Sequence, residues 1–83
     1  MGWEHVTPLR PARLFAGLEH SRFYFAQSYY IQCRHNDQVI TRNEHGVTFD
    51  SSFEKENIVG VQFHPEKSHV FGSQLLRNFI ENY

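Results

Sequence analysis

A histidine and a carboxylate two residues apart can serve as a base and the group that orients it. His64 and Glu66 stand at that spacing in this 83-residue sequence, with Pro65 between them. Pro65 biases the residue before it toward extended backbone, so the apolar run Ile58–Phe63 reads as a strand that leads straight into His64. Strand ends suit reacting groups, because the sheet fixes the backbone while the loop exposes the side chain. A histidine held this way is the base half of a nucleophile–base–orienter triad. His-x-Glu by itself also occurs by chance as a surface pair after a strand, so the spacing alone decides nothing.

A triad needs a nucleophile, and the chain has one cysteine, Cys33. Its neighbours Ile31, Gln32, Arg34 and His35 include no glycine, whereas a nucleophile elbow is a strained turn that small residues permit. Arg34 and His35 could lower a thiol pKa, but a small, partly buried thiol at a strand end is the plainer role. A lone cysteine also excludes an intrachain disulfide. The six histidines, His5, His20, His35, His45, His64 and His69, show no i,i+4 pairing, and zinc sites prefer closer ligand pairs. No metal and no cofactor is expected.

The elements that must position these groups follow from composition and pattern. Eighty-three residues allow one small domain, 1–83, near the lower limit for a self-sufficient core. Aromatic residues are 16% of the chain, and large rings let few positions bury much area. A net charge of −1 with scattered basic residues argues against nucleic acid. No stretch approaches the roughly 20 apolar residues of a membrane span, so no membrane partner is expected and the chain reads as cytoplasmic.

Met1 to Arg10 reads as irregular. Pro11 and Gly17 bracket a short helix over Ala12–Phe15. Arg22–Cys33, rich in aromatic and β-branched residues, reads as a strand. Further strands are expected over Gln38–Glu44, Val47–Phe53 and Ile58–Phe63, and their short connections favour antiparallel pairing. Ser68 is placed to cap a last helix. In that helix Phe71, Leu75, Phe79 and Tyr83, joined by Leu76 and Ile80, form an apolar stripe opposite Arg77, Asn78, Glu81 and Asn82. Phe79 is thereby expected in the core. The fold expected is α+β: a largely antiparallel sheet of about four strands with a C-terminal helix.

The wider string Val61-Gln62-Phe63-His64-Pro65-Glu66-Lys67-Ser68, followed by Leu75-Leu76-Arg77-Asn78-Phe79, resembles the class I glutamine amidotransferases. Within that family it is most similar to the glutaminase subunits of imidazole glycerol phosphate synthase, in histidine biosynthesis. Upstream, Met1-Gly2-Trp3, Leu14-Phe15, Arg22-Phe23-Tyr24-Phe25 and Ser28-Tyr29-Tyr30 fall in the family's order. Glu4 stands where the family has asparagine, and Gln27 where histidine often precedes Ser-Tyr.

The resemblance implies a part of that α/β fold and assigns roles by position. His64 would match the general base and Glu66 the carboxylate that orients it. Ser28 and Tyr29 would lie where glutamine is held, and Trp3 and Lys67 would face a synthase subunit. The family's cysteine elbow and oxyanion-hole glycines belong to a front portion that these 83 residues do not contain. Met1 coincides with an internal methionine of the family, as expected of a reading frame that opens inside an ancestral gene. The leading expectation is an inactive amidotransferase-derived domain that self-associates, most simply as a twofold dimer through Arg22–Cys33, or binds another protein. One alternative is half of a glutaminase completed by a cysteine-bearing chain. Another is a small-ligand or metal module using Tyr24, Tyr29, Tyr30 or the histidines.

Overall fold

Five strands and one α-helix account for the regular structure in a computed structural model, which describes residues 2–26 and 30–83. The strands are β1 (Gly2–Val6), β2 (Ser21–Phe25), β3 (Val39–His45), β4 (Val47–Lys55) and β5 (Ile58–Val61), and the helix is α1 (His69–Asn82). All pairings are antiparallel: β1 with β2 in one sheet, and β3–β4–β5 in the other. The α+β class stands, with the strands divided between two sheets.

β1 corrects the expectation of an irregular N-terminal stretch. Its residues pair one for one with β2, Trp3 opposite Tyr24 and His5 opposite Arg22. Local composition does not reveal this strand, because what forms it is an aromatic partner some 20 positions away. β2 is correspondingly shorter than expected, ending at Phe25, and Tyr30–Cys33 lie outside any strand. β1 covers one edge of β2 along its whole length, and the Tyr24–His64 bridge lies on the other. Gly46, at φ 77°, makes the tight β3–β4 reversal, a conformation that costs glycine nothing.

Among the described residues one isolated bridge, Tyr24 with His64, links β2 to the chain just after β5. Beyond it, Leu9 N–H donates to Ile40 O at 2.7 Å and the Asn43 amide donates to His5 O at 2.8 Å, tying β1 and the chain after it to β3. The core lies between these layers: Val6, Leu14, Phe15, Leu18, Phe23, Phe25, Ile40, Phe49, Phe63 and Leu75. Phe63 sits at its centre, stacked on Phe23 at 4.2 Å and edge-on to Phe25 at 5.5 Å and Phe15 at 6.4 Å. The residue before His64 is therefore locked by aromatic packing, a contribution beyond area burial.

α1 buries a different stripe from the one its apolar spacing suggests. Gly72, Leu75 and Asn78 face inward, while Phe79 is 39% and Ile80 77% exposed. Asn78 belongs there because its amide donates to Leu14 O and Ala16 O, both at 2.9 Å, and so satisfies the carbonyls of the 3-10 turn Arg13–Phe15. Buried acceptors must find donors, and here a helix side chain supplies them. Asn78→Ala is expected to lower stability by about 1–3 kcal/mol, the usual cost of stranding buried polar groups, in a urea titration. Phe79→Ala should cost less than the roughly 3–5 kcal/mol of a fully buried ring. At the helix end, Tyr83 hydrogen-bonds Glu54, which also lies near Arg10 and Arg13. Burial, then Glu54, pushes the Tyr83 phenol up to about 12.

Candidate active site

His64 takes the extended backbone its proline demands, φ −103° and ψ 98°, and a 3-10 turn Pro65–Lys67 follows. Within this turn His64 Nδ1 and Glu66 Oε1 lie 2.9 Å apart. With Nδ1–H donating to the carboxylate, Nε2 carries the lone pair and is the nitrogen able to take up a proton. Both side chains remain open to solvent, 38% and 63% exposed. A hydrogen bond from its own backbone N–H, and then the His64 ring, hold the Glu66 carboxyl below the usual carboxylate range. The contact is at full strength above the ordinary carboxylate pKa and is lost only as pH falls through the depressed one.

The backbone of this turn is anchored on three sides. His64 N–H donates to Tyr24 O at 2.8 Å, and His64 O accepts from Lys67 N–H at 3.1 Å and from the Ser68 hydroxyl at 2.6 Å. Ser68 does occupy the position before α1, but its hydroxyl makes no capping bond. It accepts instead from Tyr24 N–H at 3.0 Å. The expected cap is thus corrected: the hydroxyl is drawn to a strand N–H instead. From the other side α1 closes on the turn through Gly72, where a Cβ would stand 1.8 Å from Pro65 O.

Trp3 and Lys67 fall on one surface with His64, joined by Tyr24. Trp3 meets the Tyr24 ring edge-on at 6.0 Å, the Lys67 ammonium lies 6.0 Å from that ring's centre, and the His64 ring lies 6.5 Å from it. Trp3 also stacks on His69 at 5.5 Å, beside a hollow of about 250 Å³ lined by Trp3, Arg22, His69, Val70 and Phe71. Sequence reasoning named Tyr24 and the histidines only for a small-ligand or metal module, and did not place Tyr24 or His69 beside His64. Alternation along β2 could have found Tyr24, since it shares the outer face with Arg22. A larger concavity of about 520 Å³, between Thr7 and His20, shares no residue with this surface.

Ser28 and Tyr29 lie outside the described residues. The segment after them is fixed to the stretch between β5 and His64: Ile31 N–H donates to Gln62 Oε1 at 2.9 Å. β4 holds it too, through Asp50 N–H to Ile31 O at 2.8 Å and Cys33 N–H to Asp50 Oδ2 at 2.5 Å. Asp50 is buried, paired with Arg42 at 2.8 Å, and kept below the ordinary carboxylate range despite that burial. Burial first, and then Asp50, pushes the half-buried Cys33 thiol up. That is the reverse of nucleophile activation. Cys33 should therefore react with an aromatic disulfide reagent at pH 7 more slowly than free glutathione, and a faster reaction would contradict its structural role. Among the described residues no three His, Cys, Asp or Glu side chains gather as a metal would require, and no helix is long and apolar enough to cross a membrane.

The family model for class I glutamine amidotransferases matches residues 1–83. The sequence is 45% identical over 82 residues to imidazole glycerol phosphate synthase subunit HisH of Bdellovibrio bacteriovorus, covering 98% of this chain and 40% of that protein. HisH 2 of Pseudomonas aeruginosa is 43% identical over 82 residues, with 98% and 41% covered. HisH of Leptospira interrogans is 46% identical over 80 residues, with 95% and 39% covered. The chain thus spans about two fifths of the length of the curated relatives it matches. With the match running from the first residue to the last and the histidine–glutamate turn built into its fold, this chain belongs to the class I glutamine amidotransferases.

Proposed function

We propose that these 83 residues supply the general base, His64, and the orienting carboxylate, Glu66, of a glutaminase whose cysteine nucleophile comes from residues outside them. The observation that carries this reading is the 2.9 Å His64–Glu66 contact on a backbone held by β2 and α1. In the reaction His64 Nε2 takes the thiol proton as sulfur attacks the glutamine carboxamide carbon. The imidazolium then returns that proton to the leaving ammonia, which leaves a glutamyl thioester. Water, deprotonated by the same imidazole, hydrolyses the thioester to glutamate and restores the thiol. Glu66 steadies the imidazolium in both halves. Ser28 and Tyr29 would hold glutamine, and the Trp3–Tyr24–Lys67 surface would face the synthase-type subunit that receives ammonia.

By itself the 83-residue chain is expected to release no ammonia from glutamine, because His64 has no activated thiol to serve. A coupled glutamate assay checks this; release above the buffer rate that disappears in His64→Ala would overturn it. A second reading, self-association as a twofold dimer, is favoured by one observation. Leu76, Phe79 and Ile80 leave an apolar flank of α1 in solvent, and such surface is usually covered. Sedimentation at micromolar concentration checks it, with a monomer contradicting this second reading.

A further inference from the structure

Ser68 lies four residues beyond His64 and is fully buried. It has no place in the triad chemistry, and it does not cap α1. Its hydroxyl instead completes the bridge between Tyr24 and His64. In an antiparallel pair, two directly opposed residues can exchange both N–H···O bonds. Tyr24 and His64 exchange only one directly, His64 N–H to Tyr24 O at 2.8 Å. The return path runs through serine: Tyr24 N–H donates to Ser68 Oγ at 3.0 Å, and Ser68 O–H donates to His64 O at 2.6 Å. The hydroxyl is an inserted third member of the bridge.

We propose that Ser68 is a positioning residue for His64, its buried hydroxyl spacing β2 from the His64 carbonyl and so setting the imidazole's aim. The functional part of this inference rests on the reading of His64 as the base. Two features make the spacing consequential. His64 O also accepts from Lys67 N–H at 3.1 Å, so the carbonyl that Ser68 holds is the one that starts the Pro65–Lys67 turn and presents Glu66. And Ser68 is fully buried, so a lost hydroxyl leaves Tyr24 N–H without its acceptor and His64 O with the Lys67 N–H alone. With that spacer gone, His64 would shift relative to β2 and its ring would turn away from Glu66. A misplacement of about 1 Å in a catalytic group can cost about 10²-fold in rate.

Ser68→Ala removes the bridge. Ser68→Cys keeps a side chain of similar shape with a much weaker donor and acceptor, and so guards against simple misfolding. Amide exchange and imidazole ¹⁵N spectra of the 83-residue chain read out the geometry. In both variants the Tyr24 amide should exchange about tenfold faster, the change expected for losing one good hydrogen bond, and the His64 ring signals should move. Phe49 and Leu75 amides should stay within about twofold, as for a local opening. Unchanged Tyr24 exchange and His64 signals would overturn the proposal. So would an equal loss of protection at Tyr24, Phe49 and Leu75, which marks a merely structural serine.

Activity supplies the second arm, in a protein joining the front three fifths of the Bdellovibrio relative to this chain. Ser68→Cys should lower kcat about 10²-fold with KM for glutamine unchanged. An unchanged kcat would overturn the proposal. If the unsubstituted joined protein were inactive, the base assignment would fall, and the exchange data would still decide the role of Ser68.

Discussion

Gly72→Ala is expected to destabilise the fold by about 2–3 kcal/mol or more, although alanine is ordinarily the better helix residue. In an open helix the same change stabilises by up to about 1 kcal/mol. Here the added carbon would stand 1.8 Å from Pro65 O and 2.7 Å from Pro65 C. Both are backbone atoms, so no rotamer change relieves the clash. The Pro65 carbonyl must retreat by roughly 1.5 Å to reach van der Waals separation. Overpacking of a tight contact generally costs about 1–3 kcal/mol, occasionally more, and the lost helix benefit does not offset it. The displaced carbonyl lies between His64 and Glu66, so the geometry of that pair should suffer with stability. Ser73→Ala, one residue on and exposed, is the control and should be neutral or mildly stabilising. Urea titrations of both variants check the contrast. A Gly72→Ala chain as stable as the parent would mean that α1 does not close on the turn.

The larger effect is on catalysis. In the joined protein described above, His64→Ala should lower kcat by on the order of 10⁶ and Glu66→Gln by about 10⁴–10⁵. These are the losses seen when the base or its orienting carboxylate is removed from another hydrolytic triad. The difference follows from the roles. Without the imidazole no group takes the thiol proton, whereas without the carboxylate the imidazole remains but loses its fixed tautomer and the partner of its charged form. The 2.9 Å contact to Nδ1 makes Glu66 the group that leaves Nε2 free to accept. The double variant should be hardly worse than His64→Ala alone, because residues that act as a unit are not additive. Neither substitution should much disturb the fold, since both side chains are solvent-exposed and such changes usually stay within about 0.5 kcal/mol. Similar kcat losses for His64→Ala and an unrelated surface substitution would contradict the assignment.

The parts of this structure legible in the sequence are those written locally. The strand that begins at Ile58, though it ends at Val61 short of the expected Phe63, the antiparallel order of the later strands and the helix after Ser68 all follow from neighbouring residues. Non-local bonds were hidden. β1 exists because Trp3 finds Tyr24, and Gly2–Val6 carries little strand signal of its own. Asn78 looks like a solvent residue by polarity and becomes core because two carbonyls 62 and 64 positions away need its amide. Ser68 obeys a capping rule in sequence, yet its hydroxyl is drawn to Tyr24, 44 positions back. The histidine–glutamate turn was legible as spacing, but the anchors that hold it, Tyr24, Ser68 and Gly72, were not. Period-2 and period-3.6 patterns report which face a residue shares, not which distant group it satisfies.

One comparison tests the central claim most directly: ammonia release from glutamine by three proteins assayed side by side. They are the 83-residue chain alone, the front three fifths of the Bdellovibrio relative alone, expected to carry the cysteine, and the two joined. If these residues contribute the base and its orienter to a nucleophile held elsewhere, only the joined protein turns over. Ammonia from the 83-residue chain by itself, or a joined protein no more active than its front part alone, would contradict it.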